Sequence, residues 1–155
     1  MVKMFSREPQ QAYWKRLFDC IDRRRLHLVG VASDSDLPDS GIGYLGCYTA
    51  RTGVIEYLSE LSDEDKAMVL THEVFHAVIR QPSPDAEKCD EHAVPSEERT
   101  VNRASSLICD HFELGDYYAA MRVQSVRHLE EPTPDELARA TLLADLMITE
   151  LEKSP

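Results

Sequence analysis

The chain has 155 residues, with 28 Asp and Glu against 17 Lys and Arg, for a formal net charge of −11. A length of this order fits one domain with a core of its own, and a hydrophobic share of 43% is that of an ordinary globular protein. The acidic balance argues against direct binding to nucleic acid, which needs a basic face to displace counterions from phosphates.

An opening helix is predicted from about Gln10 to Arg25, where Trp14, Leu17, Phe18 and Ile21 recur on one face. Arg23, Arg24 and Arg25 form the only dense basic run and close this helix, where cations suit the dipole. The run reads as a solvated helix end, with contact to an anionic partner as the alternative. LHLVGVA, Leu26 to Ala32, is short, β-branched and apolar, hence a strand, and SDSDLPDSGIG after it is turn chemistry. YLGCYTA and VIEYLS, joined by RTG, read as a hairpin.

Ser62 with Asp65 three residues on resembles a capping box, so a helix should start near Asp63 and run to about Arg80, before Pro82. A polar loop, QPSPDAEKCDEHAVP, follows. Pro95 and Ser96 open a further helix that Gly115 closes, and Asp116 can cap a shorter one, DYYAAMRVQSVRHL. Thr133, Pro134 and Glu136 supply the N-cap, N1 proline and N3 glutamate of the last helix. The order of helix, strands and then helices defines a small α+β domain, with no repeat or linker to divide it.

Cys20, Cys47, Cys89 and Cys109 show no CxxC pairing and read as reduced thiols. Cys89 lies near His92 in a CDEH run, which reads as a chance neighbourhood in a polar loop. No apolar run reaches bilayer length, and the opening MVKMFSREPQQ lacks the apolar stretch of a secretory signal. A cytoplasmic location is the expectation.

The stretch with the most chemistry is THEVFHAVI, Thr71 to Ile79. Residues four apart on a helix share one face, so His72 and His76 can offer two imidazole nitrogens to one metal ion. Glu73, rotated by about 100° around the axis, misses the metal but can reach a water beside it. This geometry makes HExxH a hydrolytic unit: zinc lowers the pKa of a water, and the glutamate takes its proton. Met68, Val69, Leu70, Val74, Phe75, Val78 and Ile79 surround the motif with apolar residues, which predicts a buried helix. Buried histidines and a glutamate need partners, and a metal with a water satisfies all three.

A catalytic zinc takes three protein ligands. Downstream candidates for the third are His92, Glu97, Glu98 and His111. Glu97 and Glu98 both fall in the first turn of the next helix, where the dipole favours a carboxylate. Glu98 aligns with Ser105 and Phe112, close to Val101, whereas Glu97 aligns with Val101, Ala104 and Ile108. Periodicity does not separate them.

The run YTARTGVIEYLSELSDEDKAMVLTHEVFHAVI resembles the core of the ImmA/IrrE zinc metallopeptidases. In that family a hairpin feeds the HExxH helix, and a later helix carries a glutamate ligand in a pattern like E-x-x-A-N-x-F-A. Here Glu98, Val101, Asn102, Ala104 and Ser105 stand at the corresponding places, and the likeness spans roughly Gly43 to Cys109. It differs in having Phe75 where members commonly have glycine, and Ala104-Ser105 where they have an aromatic-alanine pair.

The resemblance implies a gluzincin-like, zincin-type domain with zinc on His72, His76 and Glu98 and with Glu73 as catalytic base. It implies that the hairpin strand Val54 to Ser59, partnered by Tyr44 to Ala50, offers its edge to an extended peptide. Tyr48, His92, Tyr117 and Tyr118 are candidate donors to an oxyanion. Relatives of this kind act on helix-turn-helix repressors, relieving repression of mobile-element, phage or stress genes. The expected partner is thus such a repressor, met as protein without direct contact to nucleic acid or membrane. The rival expectation is an antirepressor module that keeps the fold and binds a partner without cleaving it.

Overall fold

The computed structural model describes residues 8–32, 45–85, 95–124 and 128–153. Helix α1 (Glu8–Arg23) turns Tyr13, Trp14, Leu17, Cys20 and Ile21 into the core. It stops short of the predicted Arg25 because that residue takes a left-handed φ of 57°, and Leu26 N–H closes the end on Ile21 O at 3.0 Å. The basic run is also more than a solvated end. Arg24 pairs with Glu150 at 2.6 Å, and Glu150 also accepts from the Cys20 thiol at 3.2 Å. The anionic partner of this run is therefore the chain's own last helix.

Strands β1 (His27–Val31), β2 (Gly46–Thr49) and β3 (Val54–Leu58) form one sheet in the order β1-β3-β2. The expected hairpin is present as the antiparallel pair β2–β3, with Tyr48 opposite Ile55, and Gly53 serves the turn at φ 71°. β3 also pairs in parallel with β1, His27 opposite Val54. Both edges of β3 are thus filled, which corrects the expectation that Val54 to Ser59 presents a free edge. Among the described residues the edge strand against the motif helix is β2. Its approach is close: a Cβ on Gly46 would lie 2.9 Å from Val69 Cγ1 and 3.4 Å from Glu73 Cγ.

Helix α2 (Asp63–Ile79) starts where the cap places it, with Ser62 Oγ accepting from Asp65 N–H at 3.1 Å. Residues 67–77 are all buried, as the apolar sequence around the histidines requires. From α1, the Tyr13 hydroxyl bonds Thr71 Oγ1, which itself donates to Ala67 O at 2.6 Å.

Helix α3 (Pro95–His111) ends before the expected Gly115 because Glu113 takes a left-handed φ of 58°, and Leu114 N–H returns to Cys109 O. Helix α4 (Tyr117–Val123) is capped by Asp116 as expected but is shorter than the segment read to Leu129. Residues 125–127 of that segment lie outside the described residues, as do Tyr44, Cys89 and His92. Cys20, Cys47 and Cys109 are buried thiols outside any disulfide. No described helix is long and apolar enough to cross a membrane.

Helix α5 (Pro134–Glu152) carries the full capping box of Thr133 and Glu136. Glu136 also takes both nitrogens of the Arg99 fork, each at 2.9 Å, and the Ser96 hydroxyl at 2.5 Å. One carboxylate therefore caps α5 and fastens it to α3. Arg99, Ser96 and the Thr133 N–H bring its pKa down from 4.5 to about 2. A depressed folded-state value stabilises the fold fully above the unfolded value and loses that contribution as pH falls toward the folded one. In melts followed by circular dichroism, the stability gap between the protein and its Glu136→Gln variant should shrink as pH falls from about 4.5 to about 2. A gap constant over that window would show that this carboxylate does not couple the helices.

Candidate metal centre

His72 and His76 project from one face of α2 toward the first turn of α3. Their Nε2 atoms stand 3.1 Å apart, and Glu98 spans them, with Oε1 2.7 Å from His76 Nε2 and Oε2 3.3 Å from His72 Nε2. His72, His76 and Glu98 are each under 10% exposed. The three form a buried group whose ligand atoms lie within 4.8 Å of one another, as a bound metal ion requires. Bonds of about 2.0–2.1 Å to one tetrahedral ion put ligand atoms roughly 3.3 Å apart, close to the spacing found.

The far side of each imidazole fixes its tautomer. The Tyr117 hydroxyl gives its hydrogen to Asn102 Oδ1 at 2.6 Å, so His72 Nδ1, 2.8 Å from the Tyr117 hydroxyl oxygen, donates to that hydroxyl. His76 Nδ1 lies 2.8 Å from Glu97 Oε2, and Arg80 Nε donates to Glu97 Oε1 at 3.1 Å. With both Nδ1 atoms hydrogen-bonded outward, both Nε2 atoms face each other and the carboxylate. Metal-binding histidines carry outer partners of this kind, which orient the ring and raise its basicity.

Two Nε2 lone pairs at this distance repel unless a proton or a cation lies between them. Burial works to lower the pKa of His76, but Glu98 and Glu97 outweigh it and push it up to about 10. Burial would raise Glu98, yet His72 and His76 together hold its carboxyl well below the ordinary range. Without a metal, His76 is therefore held toward its protonated form, and a metal ion at its Nε2 must displace that proton.

Glu73 is not a member of the ligand group. It is buried, and a small pocket brings it together with His72, Glu98, Leu45, Gly46, Val69, Tyr117 and Met121. Burial raises its pKa, His72 and His76 draw it back, and its carboxylate accepts a hydrogen bond from the Tyr48 main chain. The Tyr48 hydroxyl, a candidate oxyanion donor, is turned instead to Arg80 O at 2.6 Å. Tyr118 lines a different cleft. Of the competing third ligands, Glu97 serves His76 from behind, and His111 pairs with Glu152 at 2.9 Å on the surface. His92 lies outside the described residues.

Sequence analysis offered Glu97 as a third ligand and Tyr117 as an oxyanion donor, whereas the structure makes both outer partners of the histidines, and it gave Arg80 and the Asn102 side chain no role there. Asn102 was detectable, since it follows Glu98 by one helical turn. No spacing rule joins Tyr117 to His72. No family model, curated protein or solved structure matches the chain.

With zinc as the probe, Tyr117→Phe and Glu97→Gln should each weaken metal affinity by about 10–100-fold, measured by chelator competition, with the helical circular dichroism retained. Unchanged affinity in both variants would mean that these hydrogen bonds do not orient metal ligands.

Proposed function

We propose that the chain is a zinc-dependent endopeptidase of narrow specificity, built on a zincin-like domain of the ImmA/IrrE type. The observation that carries this reading is Glu73, a buried carboxylate that shares the small pocket of the ligand group without joining it. A scaffold that only holds a metal has no need of such a base.

His72, His76 and Glu98 would hold the zinc. When bound, zinc supplies Lewis acidity, polarising a carbonyl and making water easier to deprotonate. Glu73 takes the proton of the attacking water and passes it to the departing nitrogen. The pocket beside it has room for a water, at about 20 Å³. The Tyr48 main-chain N–H orients the Glu73 carboxylate, and β2 offers the edge along which an extended peptide can lie.

The partner is a helix-turn-helix repressor, approached as protein. A chain of net charge −11 suits a basic surface. One observation favours the second reading, an antirepressor that binds without cleaving. The hydroxyls of Tyr48 and Tyr117 are both committed to other groups, which leaves a transition-state oxyanion without a donor from either.

The two readings separate when zinc-loaded protein and its Glu73→Gln variant are each incubated with a native proteome from the source organism and new protein N-termini are sequenced. The peptidase reading expects a few new termini, including one in a helix-turn-helix regulator, with the unaltered protein alone. Identical profiles from the two proteins would overturn it in favour of binding without cleavage.

A further inference from the structure

Helix α4 separates two cavities. Tyr117 and Met121 line the pocket of the metal-ligand group, while their neighbours Tyr118 and Arg122 line a second cleft of about 240 Å³. The same alternation holds on both flanks. On α3, Asn102 holds the Tyr117 hydroxyl and Arg103 lines the cleft. After α4, His128 gives its carbonyl to Asn102 at 3.0 Å, and Leu129 lines the cleft.

The cleft brings two guanidiniums, Arg103 and Arg122, together with two carboxylates, Glu130 and Glu131. Arg103 Nε is buried and has no hydrogen-bond partner, and a buried donor left unpaired is costly. Among the described residues neither Arg103 nor Arg122 has an ion-pair partner. Glu130, an exposed lining residue, is turned toward His128 Nδ1 at 3.7 Å. The Tyr118 phenol, raised by burial, also feels Arg103, Glu131 and Arg122, so these charges gather around it. Leu129, Pro132 and Leu137 complete an apolar wall.

These features select a ligand. A guanidinium fork matches a carboxylate. Glu130 and Glu131, which line the same cleft, penalise a second negative charge. The volume lies below the range of about 300–1,000 Å³ that holds drug-sized molecules. We propose that this cleft binds a small aliphatic monocarboxylate, its head on Arg103 and Arg122 and its tail on Leu129, Pro132 and Leu137, and that occupancy is felt at the metal-ligand group through α4. The second half rests on the metal reading of His72, His76 and Glu98; the first does not.

The probe is 4-methylpentanoate, titrated calorimetrically into metal-free protein, with inorganic phosphate in parallel. Saturable binding is expected, weakened at least about tenfold in an Arg103→Met, Arg122→Met double variant and for phosphate. Arg122→Met alone, at an exposed position, makes the same comparison should the double variant unfold. Absence of saturable binding, undiminished binding by the variants, or equal affinity for phosphate each overturns the site. Zinc affinity is then measured with and without saturating probe, with a shift of about fivefold or more expected, and the same factor in reverse. An unchanged zinc affinity overturns the coupling alone. Failure to bind zinc at all overturns the metal reading and the coupling with it, while the carboxylate titration still stands by itself.

Discussion

Two imidazole nitrogens face each other at 3.1 Å across a buried carboxylate, and the rest of the molecule is arranged around that contact. Left alone, a buried cluster of titratable groups is expensive. It persists because each member is held by more than one element: α2 supplies both histidines, and α3 brings Glu98 to their inner faces and Glu97 to the outer face of His76. Tyr117, from α4, holds the outer face of His72. An arrangement that points both Nε2 atoms and the Glu98 carboxylate toward one another could hold a cation.

The two histidines are supported differently. His76 leans on a charged pair, Glu97 with Arg80, at the end of its own helix. His72 leans on a neutral chain through Tyr117 and Asn102 to the main chain at His128. Charge behind an imidazole strengthens it as a base, whereas a neutral chain fixes orientation with less electrostatic effect. The neutral chain also makes the short helix α4 part of the centre. Asn102, Tyr117 and His128 thus serve a motif that lies wholly within 72–76.

Much of this was legible in the chain, for identifiable reasons. Ser62, Asp116 and Thr133 announced helix starts because side-chain caps are local chemistry. His72, Glu73 and His76 declared themselves by a spacing that one helix converts directly into a shared face. Glu97 and Glu98 resisted separation because both are drawn inward: one serves the inner nitrogens and the other an outer one, and a helical wheel records only that both are inward. The central place of β3 was hidden because β1 pairs with it in parallel from across a long connection, and no turn residue marks such a pairing. Helix lengths at Arg25 and Glu113 were overread because non-glycine residues there adopt left-handed backbone that glycine would have advertised.

The central proposition is that a single divalent ion is held by one nitrogen from each histidine and one glutamate oxygen. X-ray absorption at the zinc edge of protein loaded with one equivalent tests it most directly. The account requires first-sphere scattering from two imidazoles and carboxylate oxygen at about 2.0–2.2 Å, with the imidazole signature reduced by half in His76→Ala. A spectrum of hexaaquo zinc, or one indifferent to that substitution, would contradict it.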